Sequence, residues 1–173
     1  MKRLLVVVDF QNDFVKGNLS YEGAELLDDV IVEKIENYLD NGDEVVCTYD
    51  THFEDYIETN EGKNLPIPHC IKGTEGWELF GKTGELLKNA RSFEKYTFGS
   101  YELGDYILEN QFEEIEFVGL VTNICIISNA VIAKSANPEA IITIDSKAVG
   151  SYDRELENKA FDIMENLHMT VIR

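Results

Sequence analysis

The sequence predicts an α/β protein whose mainly parallel sheet carries helices on both faces. Three observations support that class. Short β-branched, apolar runs alternate along the chain with segments of helical period. The first run, Leu4-Leu5-Val6-Val7-Val8, is apolar without interruption, as a strand covered on both sides must be. The 173 residues, 44% of them hydrophobic, suit one domain spanning residues 1–173 with a substantial core.

Taken in order, the opening strand leads straight into Asp9. From Ala24 to Leu39 apolar residues fall at Leu27, Ile31, Ile35 and Leu39, a helical spacing that Asn41-Gly42 stops. Glu44 to Thr48 reads as the second strand. Tyr49 to Gly84 is irregular and holds two of the three histidines. So long an irregular stretch inside a compact domain is usually functional. A short extended segment at Ser92–Lys95 precedes a helix over Tyr101–Asn110. Glu113–Gly119 is a strand, Asn123–Ser135 a helix and Glu139–Ile144 a strand. Arg154–Leu167 is amphipathic, and Thr170–Ile172 closes the pattern as a short strand.

The formal net charge is −18, from 33 acidic and 15 basic residues. Such a surface repels phosphate backbones and anionic lipid, so neither nucleic acid nor membrane is an expected partner. The run Leu4–Val8 is too short for a signal peptide, and no apolar stretch is long enough to span a bilayer. Cys47, Cys70 and Cys125 leave one thiol over from any disulfide pairing. A reducing, cytoplasmic setting with three free thiols is the expectation.

In a parallel sheet, ligands bind beyond the carboxyl ends of the strands. The residues there are Asp9, Asp50 with His52, Lys95, and the turn Gly119–Cys125. Cys125 falls where a strand ends and a helix begins. Partial positive charge and unpaired N–H groups at a helix start favour a thiolate and can hold an oxyanion. Asp9 can accept the thiol proton and Lys95 can steady the thiolate. Each residue also has an ordinary role: cysteine as small core filler, aspartate as a turn residue, lysine as a solvated charge. Only their joint placement favours chemistry.

At these positions the sequence resembles the isochorismatase-like cysteine hydrolases, the family that includes the nicotinamidases. Val7-Val8-Asp9-Phe10-Gln11-Asn12-Asp13-Phe14 is similar to the family's opening motif. Gly119-Leu120-Val121-Thr122-Asn123-Ile124-Cys125 resembles its nucleophile turn, and Phe93-Glu94-Lys95-Tyr96-Thr97-Phe98 its lysine segment. The segment from Pro68 to Gly76, with His69 and Cys70 near its start, resembles its histidine–cysteine–glycine segment. The matches occur in the family's order along nearly the whole chain. The resemblance implies a six-stranded sheet, a triad of Asp9, Lys95 and Cys125, and a cis peptide between Leu120 and Val121. It implies oxyanion donors at the N–H groups of Val121 and Cys125, and a homo-oligomer.

A second constellation lies in the irregular stretch. Asp50 and His52 are two apart and share one face of an extended segment. His69 follows 17 residues later, with Glu54, Asp55, Glu58 and Glu61 between. Two imidazoles with carboxylates suit a divalent ion: zinc is expected, with iron and manganese as alternatives. By resemblance to nicotinamidases the ligands are Asp50, His52, Glu61 and His69, Glu61 standing at the spacing of members that use glutamate. Some nicotinamidases carry a tryptophan shortly before the second histidine. Here that stretch is Leu65-Pro66-Ile67-Pro68, so ring stacking falls to Phe14 or Phe98. Trp77, Cys47, Cys70 and His168 read as structural.

The expected function is hydrolysis of a small carboxamide, nicotinamide to nicotinate and ammonia, through a Cys125 thioester. Two alternatives stand beside it: a metal-free relative acting on N-carbamoyl, ureido or other small amides, and a non-catalytic ligand-binding or assembly module.

Overall fold

A strand sends successive side chains to opposite faces, so a run apolar at every position must be covered twice. The computed structural model describes residues 2–173. In it β1 (Arg3–Val8) puts Leu4, Val6 and Val8 into one apolar cluster and Leu5 and Val7 into another. Two separate cores follow, one on each side of the sheet.

A four-residue helix, α1 (Asn12–Val15), follows β1. The helical period after it resolves into a short 3₁₀ turn at Ala24–Leu26 and then α2 (Leu27–Asp40), which buries Ile31 and Ile35. Next come β2 (Glu44–Asp50), α3 (Asn60–Asn64), α4 (Gly81–Leu86) and β3 (Arg91–Lys95). The second half holds α5 (Tyr101–Asn110), β4 (Glu114–Leu120), α6 (Ile127–Ala136), β5 (Ile141–Gly150), α7 (Arg154–Asn166) and β6 (Thr170–Ile172). Strand order is β3-β2-β1-β4-β5-β6, and every neighbouring pair is parallel. The chain adds β2 and β3 on one side of β1 and the remaining strands on the other. The resulting switch point between β1 and β4 leaves a crevice at their carboxyl ends.

On one face α5, α6 and α7 contribute Leu103, Ile107, Ala130, Ala133, Phe161 and Met164, joined by Ile126 just ahead of α6. On the other, α2 packs Ile31 and Ile35 beneath Leu5 and Val7. Each such fully buried aliphatic side chain contributes about 1.5–3 kcal/mol. Among the described residues, no helix is long and apolar enough to cross a membrane.

The differences from the sequence expectation have physical causes. β5 extends six residues beyond Ile144, because the ladder with β4 shifts register between Phe117 and Gly119 and resumes at Val149 and Gly150. The polar interruption Asp145-Ser146-Lys147 lies within that irregularity. The stretch 49–84 contains short helices as well as loops. Gly119 sits at φ 107° and pairs with Val8, where a Cβ would lie 2.2 Å from the Val8 carbonyl oxygen. Only glycine lets β4 approach β1 that closely at the switch point.

Candidate active site

Asp9, Lys95 and Cys125 meet at the carboxyl edge of the sheet. Lys95 is the last residue of β3, and its Nζ reaches across β2 toward the switch point. It lies 2.6 Å from Asp9 Oδ2, 3.5 Å from Cys125 Sγ and 3.3 Å from Asp50 Oδ1, and donates to the Thr97 carbonyl at 3.0 Å. All three members of the trio are buried. Asp9 adopts φ 46°, a left-handed backbone uncommon outside glycine. Strain of this kind persists where the surroundings over-determine it, often at reactive sites. The Lys95 ammonium forms a close, buried ion pair with Asp9 Oδ2.

Burial sets the proton affinities. It raises the Asp9 pKa above the usual carboxylate value, with the Lys95 charge pulling the other way. Burial alone would lower that of Lys95, but Asp9, Cys125 and Asp50 hold it protonated far into the alkaline range. The Cys125 thiol is pushed well above an ordinary cysteine: burial dominates, and Lys95 is offset by the charges of Asp9 and Asp50. A lysine and a helix start favour a thiolate, while complete desolvation and two nearby carboxylates raise the thiol's proton affinity. A base beside it is therefore required.

Cys125 sits within Thr122–Ile126, a turn wound as π-helix ahead of α6, rather than in a regular α-helical first turn. Such turns concentrate at functional sites. The Leu120–Val121 peptide is cis, as the motif implied. Side chains pin this turn from two directions. Thr122 Oγ1 donates to the buried Glu157 at 2.8 Å, and Ser151 Oγ donates to Asn123 Oδ1 at 2.6 Å. Asn129 donates to the Cys125 carbonyl at 2.8 Å while accepting from the Ser100 amide.

Asp50, His52, Glu61 and His69 form a second cluster beside the trio. Each offers one donor atom, and all four atoms lie within 4.8 Å of one another. His52 Nε2 is 3.1 Å and His69 Nε2 3.3 Å from Asp50 Oδ2; both imidazoles stand 3.6–3.7 Å from Glu61 Oε1. His69 Nδ1 lies 2.8 Å from the Ile67 carbonyl, which orients Nε2 toward the cluster. Burial would raise the Asp50 pKa, but Lys95 and the two imidazoles keep it well below the usual range. Two neutral-capable imidazoles and two convergent carboxylate oxygens fit a divalent cation. Thr59 caps α3 by accepting from Gly62. Gly62 rests against the Tyr56 carbonyl, where a Cβ would come within 2.0 Å of the oxygen, and this folds Glu61 back over the histidines.

Both clusters open into one cavity of about 350 Å³, which Asp50, Glu61, His69 and Cys125 all line. The expected ring contacts are present in its wall: Phe14, whose ring centroid is 5.6 Å from that of His69, and the half-exposed Phe98. Val121 lines the cavity too, so every site residue expected from the sequence falls in or beside this space. The wall also includes Leu19, Ile67, Ile124 and Tyr152, which sequence reasoning did not place there. Ile124 adjoins the nucleophile and Ile67 lies in the stretch before the second histidine, so both could have been inferred; Leu19 and Tyr152 arrive on separate loops and leave no local signal. Trp77 lies outside, stacked on Tyr49 at 4.7 Å and bonded to Thr51. Cys47 and Cys70 are buried free thiols, and burial pushes Cys47 up to about 12.

Comparison with known proteins agrees with this geometry. Residues 3–173 match the isochorismatase domain family. The chain is 34% identical over 167 residues to the uncharacterized isochorismatase family protein PncA of Bacillus subtilis (strain 168), covering 90% of each chain. A crystal structure of nicotinamidase/pyrazinamidase PncA from Bacillus subtilis superposes with a TM-score of 0.89 at 31% identity over the whole of both chains. The pyrazinamidase of Pyrococcus horikoshii, solved in complex with zinc, shares the fold at a TM-score of 0.86 and 23% identity, covering 100% of this chain and 99% of that one.

Proposed function

The chain belongs to the isochorismatase family as a cysteine hydrolase, and from that premise we propose that it deamidates nicotinamide or a closely similar aromatic carboxamide. The observation that carries this reading is the single cavity that Cys125, backed by Asp9 and Lys95, lines together with Asp50, Glu61 and His69 of the four-donor cluster. The names of the Bacillus subtilis and Pyrococcus horikoshii relatives support the substrate class. The wall supports it too. It is mostly apolar and aromatic, and among the described residues lining it no arginine or lysine is available to pair with a substrate carboxylate. That favours a neutral ring amide over an N-carbamoyl acid.

Asp50, His52, Glu61 and His69 would hold a divalent ion, zinc by analogy with the Pyrococcus horikoshii structure. Such an ion supplies a Lewis-acid contact for a ring nitrogen. The remaining chemistry belongs to the chain's own side chains. Asp9 takes the Cys125 proton as the sulfur attacks the amide carbon. Lys95, protonated throughout, offsets the negative charge passing between carboxylate, sulfur and oxyanion. The Val121 and Cys125 amides receive that oxyanion. Asp9 then delivers its proton to the leaving nitrogen, the C–N bond breaks, and ammonia departs from a Cys125 thioester. Water adds to the thioester with Asp9 again as base, releasing the carboxylic acid and restoring the thiol. Phe14 and Phe98 flank the ring.

Ammonia release from nicotinamide by the purified protein, with zinc, iron or manganese supplied, tests the proposal. Wild-type turnover should fall by at least about a thousandfold in Cys125→Ala, as removal of a nucleophile requires. An undiminished rate in that variant, or no release by the wild type, would overturn it.

A further inference from the structure

Asp9 must take a proton from one neighbour and give it to another, so which of its two oxygens does this matters. Oδ1 is engaged. Thr48, fully buried on β2, donates its hydroxyl to Oδ1 at 2.6 Å. The same hydroxyl accepts from the Asp9 amide at 3.2 Å. One side chain thus grips both ends of a residue held at φ 46°. Oδ2 faces the Lys95 ammonium at 2.6 Å. The register explains the reach: Thr48 pairs with Val8, one residue before Asp9.

We propose that Thr48 is a positioning residue for the reaction: its hydroxyl occupies Asp9 Oδ1 and so assigns proton transfer to Oδ2, the oxygen beside Lys95. The proposal rests on the cysteine-hydrolase mechanism above. It gives a specific reason for a hydroxyl at a position where β2 otherwise calls for an apolar residue. A valine would fit the strand and the space, and the Asp9 amide would keep its second acceptor, the Thr48 carbonyl at 3.3 Å. What valine removes is the hold on Oδ1, leaving the carboxylate free to turn about its side-chain bonds.

Thr83 provides an internal control. It is also fully buried, but its hydroxyl has no partner and it lies in α4, away from the cavity. The experiment compares steady-state kinetics and thermal melting for wild type, Thr48→Val, Thr48→Ser, Thr83→Val and Cys125→Ala. The expected result is a kcat for Thr48→Val reduced about 10–100-fold, the range for losing efficient acid–base transfer. Its KM should stay within about twofold, because Thr48 does not line the cavity. Thr48→Ser should recover most of kcat, while Thr83→Val should match wild type. A Thr48→Val kcat within twofold of wild type, or a serine variant as slow as the valine one, would overturn the proposal. A parallel fall for Thr48→Val and Thr83→Val, each tracking a lowered melting temperature, would do the same by reducing Thr48 to a stability role. Turnover that survives Cys125→Ala would instead remove the mechanism on which the proposal stands.

Discussion

Two lysines in this molecule sit between pairs of carboxylates, and they do opposite things. Lys34, on α2, lies 2.8 Å from both Glu116 and Asp145, where that helix covers the sheet. Its partners are satisfied: Tyr38 donates to Glu116, and the Lys147 amide donates to Asp145. Lys95 lies between Asp9 and Asp50, but its side chain is 1% exposed against 22% for Lys34, and it has a thiol as a further neighbour. Water reaches the first arrangement in part, and its charges settle into mutual stabilisation. Desolvation leaves the second in conflict: Asp9 and Cys125 are both pushed toward their neutral forms while Lys95 stays charged. Similar residue types make a brace in one place and a proton-transfer site in the other, and burial is the variable that separates them.

Removing each lysine in turn separates the two roles most decisively. Lys95→Met should abolish measurable amide hydrolysis. It should also destabilise the fold by about 3–5 kcal/mol, because two buried carboxylates lose their counter-charge. Lys34→Met should leave turnover within about twofold and cost less, about 1–3 kcal/mol, because its carboxylates keep other donors and some access to water. Ammonia release and denaturant unfolding measure both quantities. Equal effects of the two substitutions on turnover would dissolve the distinction.

A smaller effect sharpens where the buried cluster ends. Asp50 belongs to both halves of the site, with Oδ1 toward Lys95 and Oδ2 toward the histidines, whereas Glu61 touches only the histidine side. Glu61→Gln should therefore weaken zinc binding about 10–100-fold, the usual cost of a disturbed ligand environment. Titration with a zinc-competing chelator reports this directly, independently of turnover. Unchanged zinc affinity would remove Glu61 from the ligand set and leave the cation to the other three residues.

The buried cluster was largely legible in the sequence because strand ends are. A continuous apolar run must stop at the sheet's edge, so Asp9, Asp50, Lys95 and the Cys125 turn could be placed at one rim before any geometry was known. Three carboxylates besides Glu61 lie between the histidines, and spacing alone could not choose among them. The choice depends on how α3 folds back, through the Thr59 cap and the tight fit of Gly62 under Tyr56. Tyr152 and Leu19 were invisible for a related reason, since their place in the cavity wall is set by loops distant in sequence. The lysine's pull on the thiol proton has the expected direction, and burial works against it. A helix start and a lysine are visible in a sequence, but complete desolvation beside two carboxylates is a tertiary property.

The smallest expected effect concerns acid stability, and here the two lysine clusters should differ in sign. Burial would raise the Asp145 pKa, but the Lys34 hydrogen bond and charge and the Lys147 amide outweigh it, leaving the value below the ordinary 3.8. A carboxyl depressed in the folded state stabilises above its unfolded pKa, and that contribution fades as pH falls through the folded value. Asp145 should therefore steepen the loss of stability below about pH 4, the ordinary carboxylate range. Asp9 is raised by burial, so its ionisation costs stability above its folded pKa, and protonation on acidification relieves that cost. Asp145→Asn should lower stability by about 1 kcal/mol or less at neutral pH and flatten the acid limb. Asp9→Asn should remove the opposing contribution from the acid limb, while costing stability at neutral pH because buried Lys95 loses its nearest counter-charge. Urea unfolding of wild type and both variants from pH 3 to pH 7 separates the cases. If the two asparagine variants change the acid limb in the same direction, burial does not divide the clusters as their geometry implies.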